Sequence, residues 1–384
     1  TDPLAAIRDL FELPEGLIYL DANSVGPMPK SVRARASALL DDWVRLRQLG
    51  WSERAWQQMP SLLGDAIAPF IGAGKGDVVF ADSTTLNQFK AVSHALAINR
   101  GRSVMLTQNS NFPTDVHVLQ GLVEHSRGQL SLRFVDNEDA AVAAFDDSIA
   151  VAAFSHVDYR SGARWDMARV TAAAHAAGAL TVWDLCHSAG AVPVDVEGAN
   201  ADFAIGCGNK YLCGGPGSPA FIYARKGLAD RAFPAIAGWM GHADVLAFTR
   251  DYVPHQGVKR FITGTPLVGA DELAGGMLDI WPQIEPRTLW AKHKSLTDFL
   301  IGALRQQCGP LGVEVISPDD YDRRGGNVTF RAPGANAIVE ALIAQGVIAS
   351  FRNPDAIRFG VSPLVIRHQD CLEAVVRLRR VLES

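Results

Sequence analysis

Cysteine is scarce in this chain: five residues among 384, an odd number, with no CxxC spacing anywhere. That argues against a disulfide framework and against a zinc site, and it leaves Cys186, Cys207 and Cys213 as small buried hydrophobes. Long apolar runs are missing too. No stretch approaches the roughly 18 residues a membrane-spanning helix needs, and no charged-then-apolar leader opens the chain. A cytoplasmic protein with no membrane partner is therefore expected. Positive charge is not in excess, with 36 Lys and Arg against 41 Asp and Glu, net −5. Nothing electrostatic draws this chain to nucleic acid or to an anionic membrane. A nucleotide-binding loop is absent as well: Gly72-Ala73-Gly74-Lys75-Gly76 precedes a predicted strand instead of following one, and its spacing fits neither the Rossmann nor the P-loop pattern. Asn327-Val328-Thr329 matches a glycosylation acceptor but falls in a predicted strand, so the match is read as chance.

What is present describes an ordinary globular protein. Hydrophobic residues make up 48% and charged residues 20%, and the length suffices for a large core and two domains. Strand and helix signals alternate from about residue 59. Residues 77–81, 103–107, 130–134, 148–154, 179–185, 201–207 and 220–224 read as strands with helices between several of them, as a doubly wound sheet requires. Asp166 is placed to cap one helix and Gly178 to stop it. A helix is expected from Gly227, and a long helical region from about Glu272 to Gln307. The end of the chain reads strand, strand, helix, strand, helix. The division expected is a segment 1–55 at the entrance of the site that contributes to the small domain, a large domain 56–270 and a small α+β domain 271–384.

The most informative stretch is 177–223. Its first strand ends in Asp184, with His187 one turn on. Its second leads to Lys210, followed by Gly214-Gly215-Pro216-Gly217-Ser218. Ligands of open α/β sheets collect at the carboxyl ends of strands. A lysine there can form an imine with pyridoxal phosphate, and a carboxylate can keep the pyridine nitrogen protonated, so that the ring draws electrons from the substrate. Elsewhere Asp82-Ser83-Thr84-Thr85 opens a helix, where hydroxyl residues cap the end and its free N–H groups suit an anion. Trp51 and Trp56 lie in a less regular segment that could help line an aromatic-substrate pocket.

WDLCHSAGAVPVDV followed by DFAIGCGNKYLCGGPGS resembles kynureninase, within the fold-type I pyridoxal-phosphate enzymes. LDANSVGPMPK, SNFPTD, HVDYRSG, AGWMGH and IRFGVSPL extend the resemblance over almost the whole chain. Several of these segments are shared loosely with cysteine desulfurases and class V aminotransferases, whereas SNFPTD and AGWMGH point more narrowly. The resemblance implies a large domain with a mainly parallel seven-stranded sheet, and the hydrolytic cleavage of L-kynurenine or its 3-hydroxy form to an anthranilate and L-alanine. It also implies roles for residues. Thr84 and Thr85 hold the cofactor phosphate, Phe112 stacks on the pyridine ring, and Asp115, Ser155 and His187 support the cofactor. Trp239 and Thr265 reach the phosphate from a second subunit, so that a homodimer shares its sites. Arg358 pairs with the substrate's α-carboxylate, as its planar fork suits, and the turn bearing Asn23 and Ser24 faces the site.

One position departs from the pattern. The family places a tyrosine directly before the lysine, and this chain has Asn209, which can hydrogen-bond the phosphate but has no phenol to move a proton. Either Tyr211 or a water takes over, or a related β-lyase, desulfurase or aminotransferase reaction on another amino acid is at work. A desulfurase needs a mobile nucleophilic cysteine; Cys308 and Cys371 fall in helical stretches instead. A cofactor-binding protein without catalysis is the remaining alternative, and such a protein has no use for the combination of Lys210, Asp184 and Arg358.

Overall fold

The computed structural model describes residues 2–384. The chain enters through a short strand β1 (Ile18–Tyr19) and then builds a seven-stranded sheet from β2 (Val78–Phe80), β3 (Val104–Gln108), β4 (Ser131–Val135), β5 (Ile149–Ser155), β6 (Leu180–Asp184), β7 (Phe203–Cys207) and β8 (Ala220–Ala224). The spatial order is β2-β8-β7-β6-β5-β3-β4. Strands β3, β5, β6 and β8 are buried along their whole length, which is why they read as mostly apolar runs: helices cover both faces of a parallel sheet. Only β8 runs against the others. The return from β7 to β8 passes through residues 208–219 without a helix, so the chain lacks the helical crossover that usually joins parallel neighbours.

The parallel direction places the ends of β5, β6 and β7 side by side, with Ser155 paired to Asp184 and Asp184 to Ile205. Below that edge the strands are tied together by Asp202, which is 0% exposed. It accepts from Thr181 N at 2.8 Å and meets His175 Nε2 at 2.7 Å and Arg225 Nη2 at 2.7 Å. Replacing Asp202 with alanine strands the Thr181 N–H and removes the counter-charge of Arg225. A loss of about 2–4 kcal/mol is expected in urea unfolding.

The C-terminal part forms a four-stranded antiparallel sheet of β9 (Glu314–Val315), β10 (Asn327–Arg331), β12 (Ser350–Arg352) and β13 (Ala356–Gly360) in the order β12-β13-β10-β9. Strand β11 (Val347–Ile348) pairs in parallel with β1, Ile18 opposite Val347, so the N-terminal segment lies on the C-terminal part of the molecule. Helices Pro286–Gln307, Ala335–Ala344 and His368–Glu383 pack beside this sheet.

Two expectations need correction. The region from Glu272 to Gln307 is not one helix. It breaks into Val268–Ala274, two 3₁₀ turns and Pro286–Gln307, because Pro282 and Pro286 cannot donate within a helix. Pro286 instead opens the last helix behind Glu285, whose side chain accepts from Thr288 N. After Gly227 there is only a 3₁₀ turn, Ala229–Arg231, before Pro234. Strands β11 and β12 escaped the sequence reading because two or three residues carry no periodicity.

Candidate active site

Lys210 lies three residues past the end of β7, in the glycine-rich return to β8. That return folds so tightly that a Cβ on Gly208 would lie 2.2 Å from Ser218 Oγ and 2.6 Å from Pro219 O. The Lys210 ammonium donates to His187 Nε2 at 3.1 Å and stands 5.8 Å from the centre of the Phe112 ring. Burial disfavours the charged amine, but Cys207, Cys186 and Asp184 outweigh it and hold Lys210 above its ordinary range. His187 is pushed well below the usual imidazole range, first by burial and then by Lys210, Arg358 and Arg352. It is therefore neutral, with Nε2 as the acceptor.

Asp184 closes β6 and accepts from Cys186 N at 2.7 Å. Its neighbour is Asp115, in the first turn of the helix Pro113–His125 and 1% exposed. Burial, then the charge of Asp184 and a hydrogen bond to it, lift Asp115 well above the carboxylate range. Like charges this close cannot both ionise, so the two carboxyls hold one negative charge between them. Asp115 Oδ2 and His187 Nδ1 are buried and have no hydrogen-bond partner among the described residues. Unpaired buried polar atoms of this kind are costly. Two of them near one lysine fit a polar group that the polypeptide does not itself supply, and a protonated pyridine nitrogen with its ring substituents matches that chemistry.

The surrounding positions are built by short-range hydrogen bonds. Ser155 Oγ donates to Asn111 Oδ1 at 2.6 Å, and the same oxygen accepts from Phe112 N at 2.9 Å. Asn111 thereby orients Phe112, which is 41% exposed and meets Tyr159 edge-on with ring centres 5.3 Å apart. The helix Thr84–Ile98 starts behind Ser83, whose Oγ accepts from Leu86 N at 3.4 Å. Thr85 is exposed, and Thr84 Oγ1 lies 3.8 Å from Cys186 Sγ. This helix end thus stands beside the Asp184 strand end with its first N–H groups free of intrahelical partners.

Arg358 occupies the middle of β13, between Thr329 of β10 and Ser350 of β12, and is 1% exposed. Nη1 donates to Tyr159 O at 2.7 Å, Nη2 to Ser24 Oγ at 3.2 Å and Nε to Ser350 Oγ at 3.2 Å. The Asn23 amide, oriented to satisfy both of its ends, accepts from Arg358 Nε at 2.7 Å and donates to Asp21 Oδ1 at 3.1 Å. Burial, then Arg352, pull the guanidinium down to about 10, so it stays charged at neutral pH. Asp21 at 3.8 Å is its only acidic neighbour among the described residues. A buried cation held mainly by neutral acceptors is suited to receive a carboxylate.

Asn209 donates through Nδ2 to Ser24 O at 3.2 Å. Lys210, Asp184, His187, Asp115, Phe112, Ser155, Thr84, Arg358, Asn23, Ser24 and Asn209 are thus joined by direct or one-residue contacts. Four expected residues make none of these contacts in the single chain, Thr85 on the exposed side of its helix end and the three that follow. Trp51 packs edge-on against Trp56 at 5.7 Å. Trp239 is 45% exposed and stacks on Phe248. Thr265 is exposed beside a narrow recess that includes Asp82 and Thr263. Tyr211 is buried, its hydroxyl packed toward Gly326 and without a hydrogen-bond partner among the described residues. Asn111, Tyr159 and Ser350 were missed in the sequence. Asn111 lay inside SNFPTD and was legible as a strand-end cap, whereas the other two act through a backbone oxygen and a cross-strand register. The larger cavities, of about 650 and 690 Å³, contain none of the site residues.

Comparison with known proteins agrees with this arrangement. A family model described as the kynureninase C-terminal domain matches residues 289–378. Kynureninase of Deinococcus radiodurans is 42% identical, the alignment covering all of this chain and 94% of the relative. Kynureninase of Pseudomonas fluorescens is 39% identical over all of this chain and 93% of its own. Among solved structures, the apo cysteine desulfurase of Thermococcus onnurineus superposes with a TM-score of 0.81 at 19% identity, covering 100% of this chain and 98% of that one. A cystine C–S lyase in complex with cysteine persulfide gives 0.77 at 16% identity, covering 95% and 98%. These two show the fold, that of the fold-type I pyridoxal-phosphate enzymes, while the whole-chain identities decide membership: the chain belongs to the kynureninase family.

Proposed function

We propose that this protein is a pyridoxal-phosphate-dependent hydrolase that cleaves the Cβ–Cγ bond of L-kynurenine, 3-hydroxy-L-kynurenine or both, releasing the anthranilate and L-alanine. The observation that carries the reading is the Asn23–Gly26 turn, which touches the Arg358 guanidinium on one side and the Lys210 segment on the other. An α-amino acid presents a carboxylate and an amine, the two groups that Arg358 and Lys210 would take. Bound pyridoxal phosphate supplies the electron sink for the charge left when a bond at Cα breaks.

The residues supply the rest. Arg358 binds the α-carboxylate through its fork and fixes Cα. Lys210 would hold the cofactor and would take and return the Cα proton, and neutral His187 accepts from its amine. The single negative charge of the Asp184–Asp115 pair would keep the ring nitrogen protonated. Phe112 would cover the ring, and the N-terminus of the Thr84 helix would receive the phosphate. A second copy of the chain completes the site with Trp239 and Thr265. Exposed Trp239, Leu246 and Phe248 on the same segment support that homodimer. The division at residues 55 and 270 belongs to this proposal, with β1 seated on β11. So does a cytoplasmic location, for which five free cysteines suit a reducing compartment. Among the described residues no helix is long and apolar enough to cross a membrane.

Asn209 favours one alternative, a related reaction on another amino acid, because it brings no phenol beside Lys210. Both readings meet the same experiment. Protein loaded with pyridoxal phosphate is mixed with kynurenine or 3-hydroxykynurenine, and the anthranilate fluorescence is followed together with alanine. Equal amounts of both products are expected. Conversion of the cofactor to its pyridoxamine form by an amino donor, with no anthranilate from either ketone, would transfer the assignment to an aminotransferase.

A further inference from the structure

We infer that Asn209 is a positioning residue that sets the Arg358 carboxylate clamp from the lysine segment, acting through the Ser24 backbone and hydroxyl. Two hydrogen bonds join residue 209 to the Asn23–Gly26 turn. Gly26 N donates to Asn209 O at 2.8 Å, and Asn209 Nδ2 donates to Ser24 O at 3.2 Å. The contact is close enough that a Cβ on Gly26 would lie 2.2 Å from Lys210 O. Within itself the turn is already closed, with Ser24 N donating to Asp21 O at 2.9 Å and Tyr19 Oη to Val25 O at 2.7 Å. Asn209 is therefore not needed to fold the turn. One bond alone, at Gly26, leaves a hinge; the second, at Ser24, fixes the angle at which the turn meets the lysine segment. That angle decides where Ser24 Oγ and the Asn23 amide stand, and both are partners of Arg358. The Arg358 fork, on β13 of the other sheet, is thus registered against Lys210 by a chain of three residues instead of by packing alone. An amino acid held at both ends responds to an error in that spacing as a loss of carboxylate affinity.

The inference rests on Arg358 being the carboxylate site, and the test separates the two. Wild type, Asn209→Ala, Ser24→Ala and the double variant, all loaded with pyridoxal phosphate, are titrated with L-alanine and with L-alaninamide, which lacks the carboxylate charge. Cofactor absorbance reports binding. For each single variant, L-alanine should bind about five- to tenfold more weakly, the worth of one relayed hydrogen bond, while L-alaninamide is unchanged. The double variant should lose no more than the larger single one, because both residues act along one path. With kynurenine, KM should rise by the same factor and kcat stay within about twofold. A wild type that binds both ligands alike would refute the carboxylate role of Arg358 itself. If wild type discriminates and Asn209→Ala discriminates equally, or if only kcat falls, the positioning role is wrong.

Discussion

Lys210→Ala is expected to lower turnover by at least about 10⁴-fold, the combined loss of the covalent anchor and of the proton carrier. Lys90, a second buried lysine, is already engaged by Asp82, by Asn87 at 3.3 Å and by Phe261 O at 2.7 Å. The side chain of Lys210 makes one hydrogen bond, to His187, so its removal takes little from the fold, and the variant should unfold at a urea concentration close to that of wild type. Borohydride reduction followed by peptide mass spectrometry should find the cofactor on Lys210 in wild type and on no lysine in the variant. Retention of even one part in a hundred of the turnover, or a cofactor fixed elsewhere, would show that the anchor has been misassigned.

Asp184→Asn comes next, with kcat expected to fall about 10²–10³-fold, the usual cost of removing one preorganised charge from a site. The Asp115 neighbour gives this prediction a second signature. In wild type Asp115 is kept protonated first by burial and then by the charge of Asp184. The variant removes the second cause and keeps the first, so Asp115 ionises more readily than before. It then carries the negative charge of the pair at high pH only. The residual activity of Asp184→Asn should therefore climb as pH rises, and adding Asp115→Asn should flatten that climb. A flat profile in the single variant would mean that Asp115 does not face the same group as Asp184.

The strands, their parallel direction and the identity of the chemistry follow from local signals. Buried runs such as Leu180–Asp184 are mostly apolar because both of their faces are covered, and Asp166, Ser83 and Gly178 mark helix ends through hydrogen bonds made within a few residues. Lys210 and Asp184 were legible because strand ends are where such a sheet binds ligands. Where proline intervenes the reading overshot, as between Glu272 and Pro286.

By itself, then, the sequence determined the sheet, the lysine, its acid and the likeness that named the cofactor, since each depends on contacts close along the chain. Tertiary structure alone decided that Asp115 shares a charge with Asp184, and that Ser24 meets Arg358 across 334 residues. It also decided that Asn209 spends its amide on the Ser24 carbonyl. Contacts of that kind are fixed by how two sheets and an N-terminal turn pack, and no spacing along one strand or helix encodes the packing.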